Sequence, residues 1–87
     1  MSDRALVAYE RPGGGYDLHR ARWTEGLESR LTARTPFGGR GTPVDPVPDE
    51  RDVPREELPE RVEFGRHVAL LVVGTFMETI AALTILV

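Results

Sequence analysis

An acid and a histidine near the start of the chain have the residue types and the spacing that acid–base chemistry requires. Asp17 and His19 lie two positions apart in the segment YDLHRARW. On a β-strand this spacing places both side chains on one face, where a carboxylate can orient an imidazole that acts as a general base. No serine or cysteine nucleophile lies nearby in the sequence, and a solvated strand face accounts for the same two residues. We therefore predict no catalytic residue and no enzymatic activity.

The chain also has few residues that could bind a metal ion or a cofactor. His19 and His67 would form a zinc site only if folding brought them together with acidic residues, because the sequence has no cysteine and no HExxH spacing. The three glycines after Pro12 lack the GxGxxG and GxxxxGK patterns of phosphate-binding loops, and no helix is predicted to follow them. They are typical of a hairpin turn. The sequence predicts no metal and no cofactor.

Arginine and aromatic residues in the second apolar segment form a candidate binding surface. Basic and aromatic side chains together can contact a nucleic-acid backbone and stack on its bases. Glu25 and Glu28 lie close by in the sequence and weaken the positive field. Such arginines more often pair with neighbouring acids or cover apolar surface, so nucleic-acid binding is the less favoured alternative and a protein partner is expected instead. The residues of this predicted surface are Tyr16, His19, Arg20, Arg22 and Trp23.

The apolar run that closes the chain, VALLVVGTFMETIAALTILV (68–87), fits two structures. A run of about twenty apolar residues is close to the minimum for a transmembrane helix. Glu78 would then lie near the bilayer centre, where a carboxylate costs about 2.5–3.5 kcal/mol, so the span is marginal. Many residues of the run are β-branched, and Gly74 permits a chain reversal. The preferred interpretation is a pair of strands, from about Ala69 to Val73 and from about Glu78 to Leu86.

A second pair of strands is predicted at the start of the chain. The segments Ala5–Glu10 and Tyr16–Trp23 are apolar with aromatic residues, and the sequence RPGGG between them can continue neither a strand nor a helix. This pattern predicts a β-hairpin. After it, Thr24 can cap a short helix that reaches about Ala33, with Leu27 and Leu31 as its apolar stripe.

The second strand of this hairpin changes phase along its length. Tyr16 and Leu18 share one face, whereas Ala21 and Trp23 share the other. Two explanations fit this pattern. Either a bulge lies near His19 and the residue after it, or the strand is covered on both faces.

The middle of the chain, residues 35–60, is rich in proline and glycine. It has no apolar period, so we predict an extended loop without regular structure. Pro54 and Pro59 can each occupy the first position of a helical turn, and one turn is expected from Pro59 to His67.

The composition allows one small domain that covers residues 1–87. The absence of cysteine excludes a disulfide-stabilised secreted scaffold. The N-terminus has no long apolar segment after a basic start, so no signal peptide is predicted and a cytoplasmic location is expected.

The net charge is −3, and all eleven basic residues are arginine. Arginine is in excess before residue 42, whereas acidic residues are in excess after it. The chain stops inside apolar sequence, which suggests a shortened version of a longer domain.

Three stretches of the chain and one tryptophan form a pattern that can be compared with known families. They are RALVAYERPGGGYDLH (Arg4 to His19), TPFGG (Thr35 to Gly39) and VVGTFMETIA from Val72, together with Trp23. This pattern resembles a family of small uncharacterised proteins from halophilic archaea. The first stretch is the specific part of the resemblance. The resemblance implies a small α+β domain with a hairpin at its N-terminus and a strand pair at its C-terminus, and it implies no activity, cofactor or catalytic residue.

The sequence therefore predicts an α+β fold in which the N-terminal hairpin and the C-terminal strand pair form one antiparallel sheet, with a short helix and a proline-rich loop. The predicted function is a nonenzymatic interaction module that binds a protein partner or a second copy of itself. The alternative is a tail-anchored membrane protein with one span at residues 68–87. Weak nucleic-acid binding is the third possibility.

Overall fold

The structure, a computed structural model, describes residues 4–63 and 66–84, and the side chain of Thr84 is not described. A five-stranded sheet with the strand order β3-β2-β1-β4-β5 forms the body of the protein. The helical part consists of one four-residue helix and one seven-residue 3-10 helix, so the predicted α+β class is met only loosely. The elements are β1 (Arg4–Glu10), β2 (Tyr16–Arg22), α1 (Leu27–Arg30), β3 (Glu50–Val53), the 3-10 helix (Arg55–Arg61), β4 (His67–Val73) and β5 (Thr79–Thr84).

The predicted N-terminal hairpin is confirmed. Strands β1 and β2 pair antiparallel from Arg4 opposite Arg22 to Glu10 opposite Tyr16, without a register shift. The loop between them is closed by a backbone hydrogen bond of 3.0 Å from the Arg11 amide to the Gly15 carbonyl. Gly15 has φ +64°, a conformation that residues with a Cβ atom adopt only at a cost.

The prediction of a wholly antiparallel sheet is wrong in one pairing. Strand β1 pairs in parallel with β4, from Ala5 opposite Ala69 to Tyr9 opposite Val73. A parallel pairing needs a long crossover connection. The long segment between β2 and β4 allows one, because Arg22 at the end of β2 and His67 at the start of β4 both lie opposite Arg4, at the same end of the sheet. The strand β1 is apolar on both faces and therefore lies in the centre of the sheet, between β2 and β4.

Both faces of the sheet are covered, which explains the change of phase in β2. One cluster of buried residues lies under α1 and the loop that follows it, and includes Val7, Ala21 and Leu27. The other lies under the 3-10 helix and includes Leu18 and Leu58. The regular register of β1 and β2 excludes the alternative of a bulge near His19.

The two helical segments differ from their predicted bounds. The first is shorter than predicted, and the second begins earlier in the chain. Helix α1 covers only Leu27–Arg30, because Gly26 at its N-cap has φ +77° and Leu31 at its C-cap is already extended. The turn expected after Pro54 is present as the 3-10 helix, with Pro54 at its N-cap and Pro59 inside it. This helix ends at Arg61, so the described part of the turn predicted from Pro59 to His67 is not a separate helix.

The proline-rich segment contains regular structure that was not predicted. Strand β3 lies inside the predicted 35–60 loop and pairs antiparallel with β2, with Val53 opposite Tyr16. Only Val53 of its four residues is buried. Backbone pairing with β2 and the single buried side chain of Val53 hold this strand in place, and a search for apolar periodicity cannot detect it.

The apolar run at the end of the chain forms the predicted strand pair within the described residues. Strands β4 and β5 pair antiparallel, and the Gly74 amide donates a 2.8 Å hydrogen bond to the Glu78 carbonyl across the turn. Glu78 is an exposed residue next to this turn, as the strand interpretation requires. Among residues 4–63 and 66–84, no helix is long and apolar enough to cross a membrane. The part of the predicted second strand beyond residue 84 lies outside the described residues.

Candidate protein-binding edge

Asp17 and His19 lie on one face of β2, as their spacing predicts, but each interacts with a different partner. The Asp17 carboxylate accepts hydrogen bonds from Arg11 at 3.3 Å and from the Asp52 amide at 3.2 Å. His19 is buried, and its Nδ1 lies 2.7 Å from the Asp45 carbonyl oxygen. Because a carbonyl oxygen can only accept, this nitrogen carries the proton. The carboxylate that would orient a general base is therefore engaged elsewhere.

His19 belongs to a small aromatic cluster on the face of the sheet that α1 covers. Its ring centroid lies 5.0 Å from that of Tyr9 and 5.4 Å from that of Phe37. The Tyr9 hydroxyl donates a hydrogen bond to the Pro36 carbonyl, and burial raises the pKa of Tyr9 well above its usual value of 10.0. These contacts attach the TPFGG segment to the sheet, which is a structural role.

Acidic and histidine residues do not form a metal site in the part of the chain that the structure describes. His19 faces the aromatic cluster described above, whereas His67 begins β4 and its Nδ1 accepts a 3.0 Å hydrogen bond from the Glu63 amide. Burial, assisted by Arg4 and Arg66 and opposed by Glu63, lowers the pKa of His67 from its usual 6.5.

The five residues of the predicted interaction surface lie on two faces of the sheet. Tyr16 is buried in the cluster under the 3-10 helix, whereas His19 and Trp23 pack on the opposite face. Arg20 and Arg22 remain exposed. Arg20 forms an ion pair of 3.0 Å with Asp49, and Arg22 donates a 2.9 Å hydrogen bond to the Gly41 carbonyl. Whether these residues bind a partner stays a prediction.

A wide cleft of about 930 Å³ lies beside Arg20 and Arg22 at one end of the sheet. Its walls carry both signs of charge, and several of these charges already form ion pairs. Arg61 bonds to Glu50 at 2.9 Å, and the Glu50 carboxylate raises the pKa of Arg61. The cleft therefore does not present the single sign of charge that attracts a polyanion.

Strand β5 forms one edge of the sheet and presents the largest exposed apolar side chains of any strand. Among the residues that the structure describes, no strand pairs with its outer side. The strand reads TIAALT, and no residue in it is charged. Ile80 is 40% exposed and Leu83 is 45% exposed. The backbone groups and the side chains of β5 are therefore both accessible to another strand.

An apolar groove of about 220 Å³ runs along β5 on the face that the 3-10 helix covers. Ala81 and Leu83 of β5 lie opposite Val72 and Leu70 of β4, so these four side chains share this face. Leu58 of the 3-10 helix also lines the groove. A side chain that projects from an added strand would lie beside this groove.

The opposite edge of the sheet has no comparable surface. The segment from Pro43 to Val53 runs along β2, and the amides of Asp45 and Asp49 each donate a 2.8 Å hydrogen bond to β2 carbonyls. Strand β3 in this segment is mostly charged and lies between Pro48 and Pro54. A partner at an exposed strand edge or at the apolar end of the chain was expected from the sequence, but no residue of β5 was among the five of the predicted surface. The uncharged sequence TIAALT is the signal that could have indicated this edge.

A model of a family of unknown function, DUF6735, matches residues 1–43. The match covers just under half of the chain and includes the opening stretch Arg4 to His19. It includes β1, β2 and α1 but excludes β3, β4 and β5. The edge at β5 thus lies outside the region of similarity. No curated protein and no solved structure matches the chain.

Proposed function

We propose that the protein is a nonenzymatic interaction module that binds a protein partner through its β5 edge. In this mode an extended segment of the partner adds to the sheet as a further strand. The observation that carries the proposal is the combination of accessible backbone, absence of charge and exposed apolar side chains in the described strand β5.

Strand addition would use both the backbone and the side chains of β5. Hydrogen bonds between backbone groups supply affinity, and side chains that alternate between the two faces supply specificity. On one face the partner would contact Leu83 and the groove next to it, and on the other face Ala82. A partner strand with small or medium apolar residues and little charge fits this surface.

The nonenzymatic character is supported by the separation of the groups that could do chemistry. Asp17 contacts Arg11 and a backbone amide, and His19 contacts a backbone carbonyl in a buried aromatic cluster. Neither residue lines the groove beside β5.

Selection from a displayed library of random twelve-residue peptides tests the proposal. The wild-type protein serves as the bait, and the variant Leu83→Lys removes peptides that bind elsewhere. We expect enriched peptides with alternating apolar residues, because a partner strand must present one face to the groove. Peptides that bind the wild-type protein and the variant Leu83→Lys with equal affinity would contradict the proposal.

Nuclear magnetic resonance then locates the binding site of a selected peptide. Amide shifts concentrated in residues 79–84 are expected on titration. Shifts confined to Arg20, Arg22 and Trp23 would instead support the surface predicted from the sequence. A labelled single-stranded oligonucleotide, tested against Arg20→Ala and Arg22→Ala, separates nucleic-acid binding from both.

A further inference from the structure

We infer that the partner of β5 is a second copy of this chain, paired antiparallel so that two five-stranded sheets become one continuous sheet. This inference rests on the proposed function and names its partner. Three observations carry it, which are the charge of the strand, the sizes of the side chains that would meet, and the composition of the opposite edge.

The charge distribution favours self-pairing at β5 over any other strand edge. The chain has a net charge of −3, so two copies repel one another in general. Residues Thr79–Thr84 carry no charge, and two copies that approach through β5 place no like charges opposite each other.

Side-chain sizes are complementary when two β5 strands meet around a two-fold axis. The axis must lie perpendicular to the sheet, because only that rotation keeps matching side chains on the same face. With the axis at Ala82, this residue lies opposite its own copy, and Ala81 lies opposite Leu83 of the second copy. The two-fold axis produces two such pairs, and in each pair the small Ala81 of one copy lies opposite the large Leu83 of the other, beside the groove.

The strand is regular where this pairing takes place. The register of β4 and β5 shifts between Val72 and Val73, where Ile80 has no direct partner, and this bulge precedes Ala81. From Ala81 to Thr84 the ladder is continuous, so Ala81, Ala82 and Leu83 alternate between the faces as the pairing requires.

The opposite edge limits the assembly to two copies. A strand β5 that paired with β3 of the next molecule would create an open chain of molecules. Strand β3 carries Glu50, Arg51 and Asp52 within four residues, and Asp52 has φ +57°, which interrupts a regular ladder. Pairing of β5 with β5 leaves two β3 edges at the ends and forms a closed dimer.

Analytical ultracentrifugation of the full chain, from about 5 µM to about 1 mM, tests the dimer. A single pair of short strands buries less surface than a standard interface, so we expect a dissociation constant of about 10–100 µM. Leu83→Lys should weaken the dimer at least about tenfold, because the ammonium group loses water at the interface. Val47→Lys makes the same kind of change at a residue that is 68% exposed in the proline-rich segment, and it should leave the dimer unchanged.

A cysteine placed on the proposed axis tests the register. The chain has no cysteine, so Ala82→Cys introduces a single thiol that faces its own copy. Under mild oxidation this variant should form a disulfide-linked dimer at least about tenfold faster than Val47→Cys, since pairing raises the local thiol concentration. Equal rates would overturn the register.

The remaining outcomes separate this inference from the proposed function. A protein that stays monomeric throughout, yet binds selected peptides at residues 79–84, would overturn the dimer and leave the interaction module intact. A monomer that floats with phosphatidylcholine vesicles, and loses this property in Leu83→Lys, would assign the edge to a lipid surface and overturn both. Growth of species larger than the dimer would overturn the closed arrangement.

Discussion

The two outer strands of the sheet, β3 and β5, have the same topological position but opposite chemistry. Strand β3 reads ERDV, lies between prolines and contributes one buried residue. Strand β5 reads TIAALT and is uncharged, with accessible side chains from Thr79 to Leu83. Charge, proline and irregular backbone are the features by which edge strands avoid the addition of another strand.

Within the described residues, this difference leaves the β3 edge of the sheet closed to another strand and the β5 edge open. Backbone bonds from residues 43–49 to β2 continue the line of β3, so proline-rich sequence covers the whole of that side. Arg61 bonds to both Glu50 and Glu57, which ties β3 to the 3-10 helix. In the described residues no such cover exists along β5. The comparison therefore predicts that substitutions in β3 alter the stability of the fold, whereas substitutions in β5 alter association with another molecule.

The largest effect is expected from the residue that anchors the closed edge. Val53 is 3% exposed and is the one buried side chain of β3. The change Val53→Ala removes two buried methyl groups and should lower the free energy of unfolding by about 2–3 kcal/mol. Urea denaturation measures this loss of stability. The control Val47→Ala, at an exposed position in the same segment, should change stability by less than about 0.5 kcal/mol. Equal effects at the two positions would show that β3 is not anchored by packing.

A somewhat smaller loss is expected at the contact between the hairpin loop and β3. A Cβ atom at Gly15 would lie 2.1 Å from Oδ1 of Asp52, and Gly15 has a positive φ. We expect Gly15→Ala to lower the free energy of unfolding by about 1–2 kcal/mol. Gly14→Ala is the matched control and should cost less, because Gly14 also has a positive φ but nothing lies within 4 Å of a Cβ at that position. A stable Gly15→Ala protein with an unchanged urea midpoint would contradict the contact.

A dependence on pH is expected at the start of β4, the strand that supports the open edge. The folded state lowers the pKa of His67 below 6.5, chiefly through burial, so the neutral imidazole is the form that the fold favours. Stability from this residue is complete above pH 6.5 and falls as the pH decreases towards the folded-state pKa, because the unfolded chain binds the proton first.

The variant His67→Gln isolates this contribution. Thermal unfolding of both proteins between pH 8 and pH 5 should show a smaller decrease in melting temperature for the variant, since glutamine can still accept a hydrogen bond from the Glu63 amide without titrating. Parallel decreases in the two proteins would exclude His67 as the source.

The smallest effect is expected at the tip of the turn between β4 and β5. Phe76 is 89% exposed, so Phe76→Ser removes little buried surface and should change the free energy of unfolding by less than about 0.5 kcal/mol. Chemical denaturation checks this value. A large loss of stability would show that the open side of the sheet is held by contacts that its exposed side chains do not indicate.

Local signals in the sequence were sufficient for the two hairpins. RPGGG between apolar segments and Gly74 within the final run mark chain reversals, and the strands on either side of each reversal are neighbours in the sequence. The change of phase in β2 left two explanations open, a bulge or a strand covered on both faces. The structure confirms the second explanation.

Contacts between distant segments were not predictable in the same way. Strand β3 presents one apolar residue, Val53, so no periodic pattern distinguishes it from the surrounding loop. The candidate surface at residues 16–23 illustrates the same limit. Strand alternation and burial from both sides distribute its five members over two faces, which depends on what packs above and below β2.

The sequence by itself determined the chain reversals at RPGGG and Gly74, the strands on either side of each reversal and which residues are apolar, because turn residues and β-branched side chains act over a few positions. Only the tertiary structure decided that β1 lies between a parallel and an antiparallel neighbour, and that proline-rich sequence covers one edge while β5 forms the other. These features depend on backbone pairing between residues far apart in the chain, and backbone groups are the same in every residue except proline.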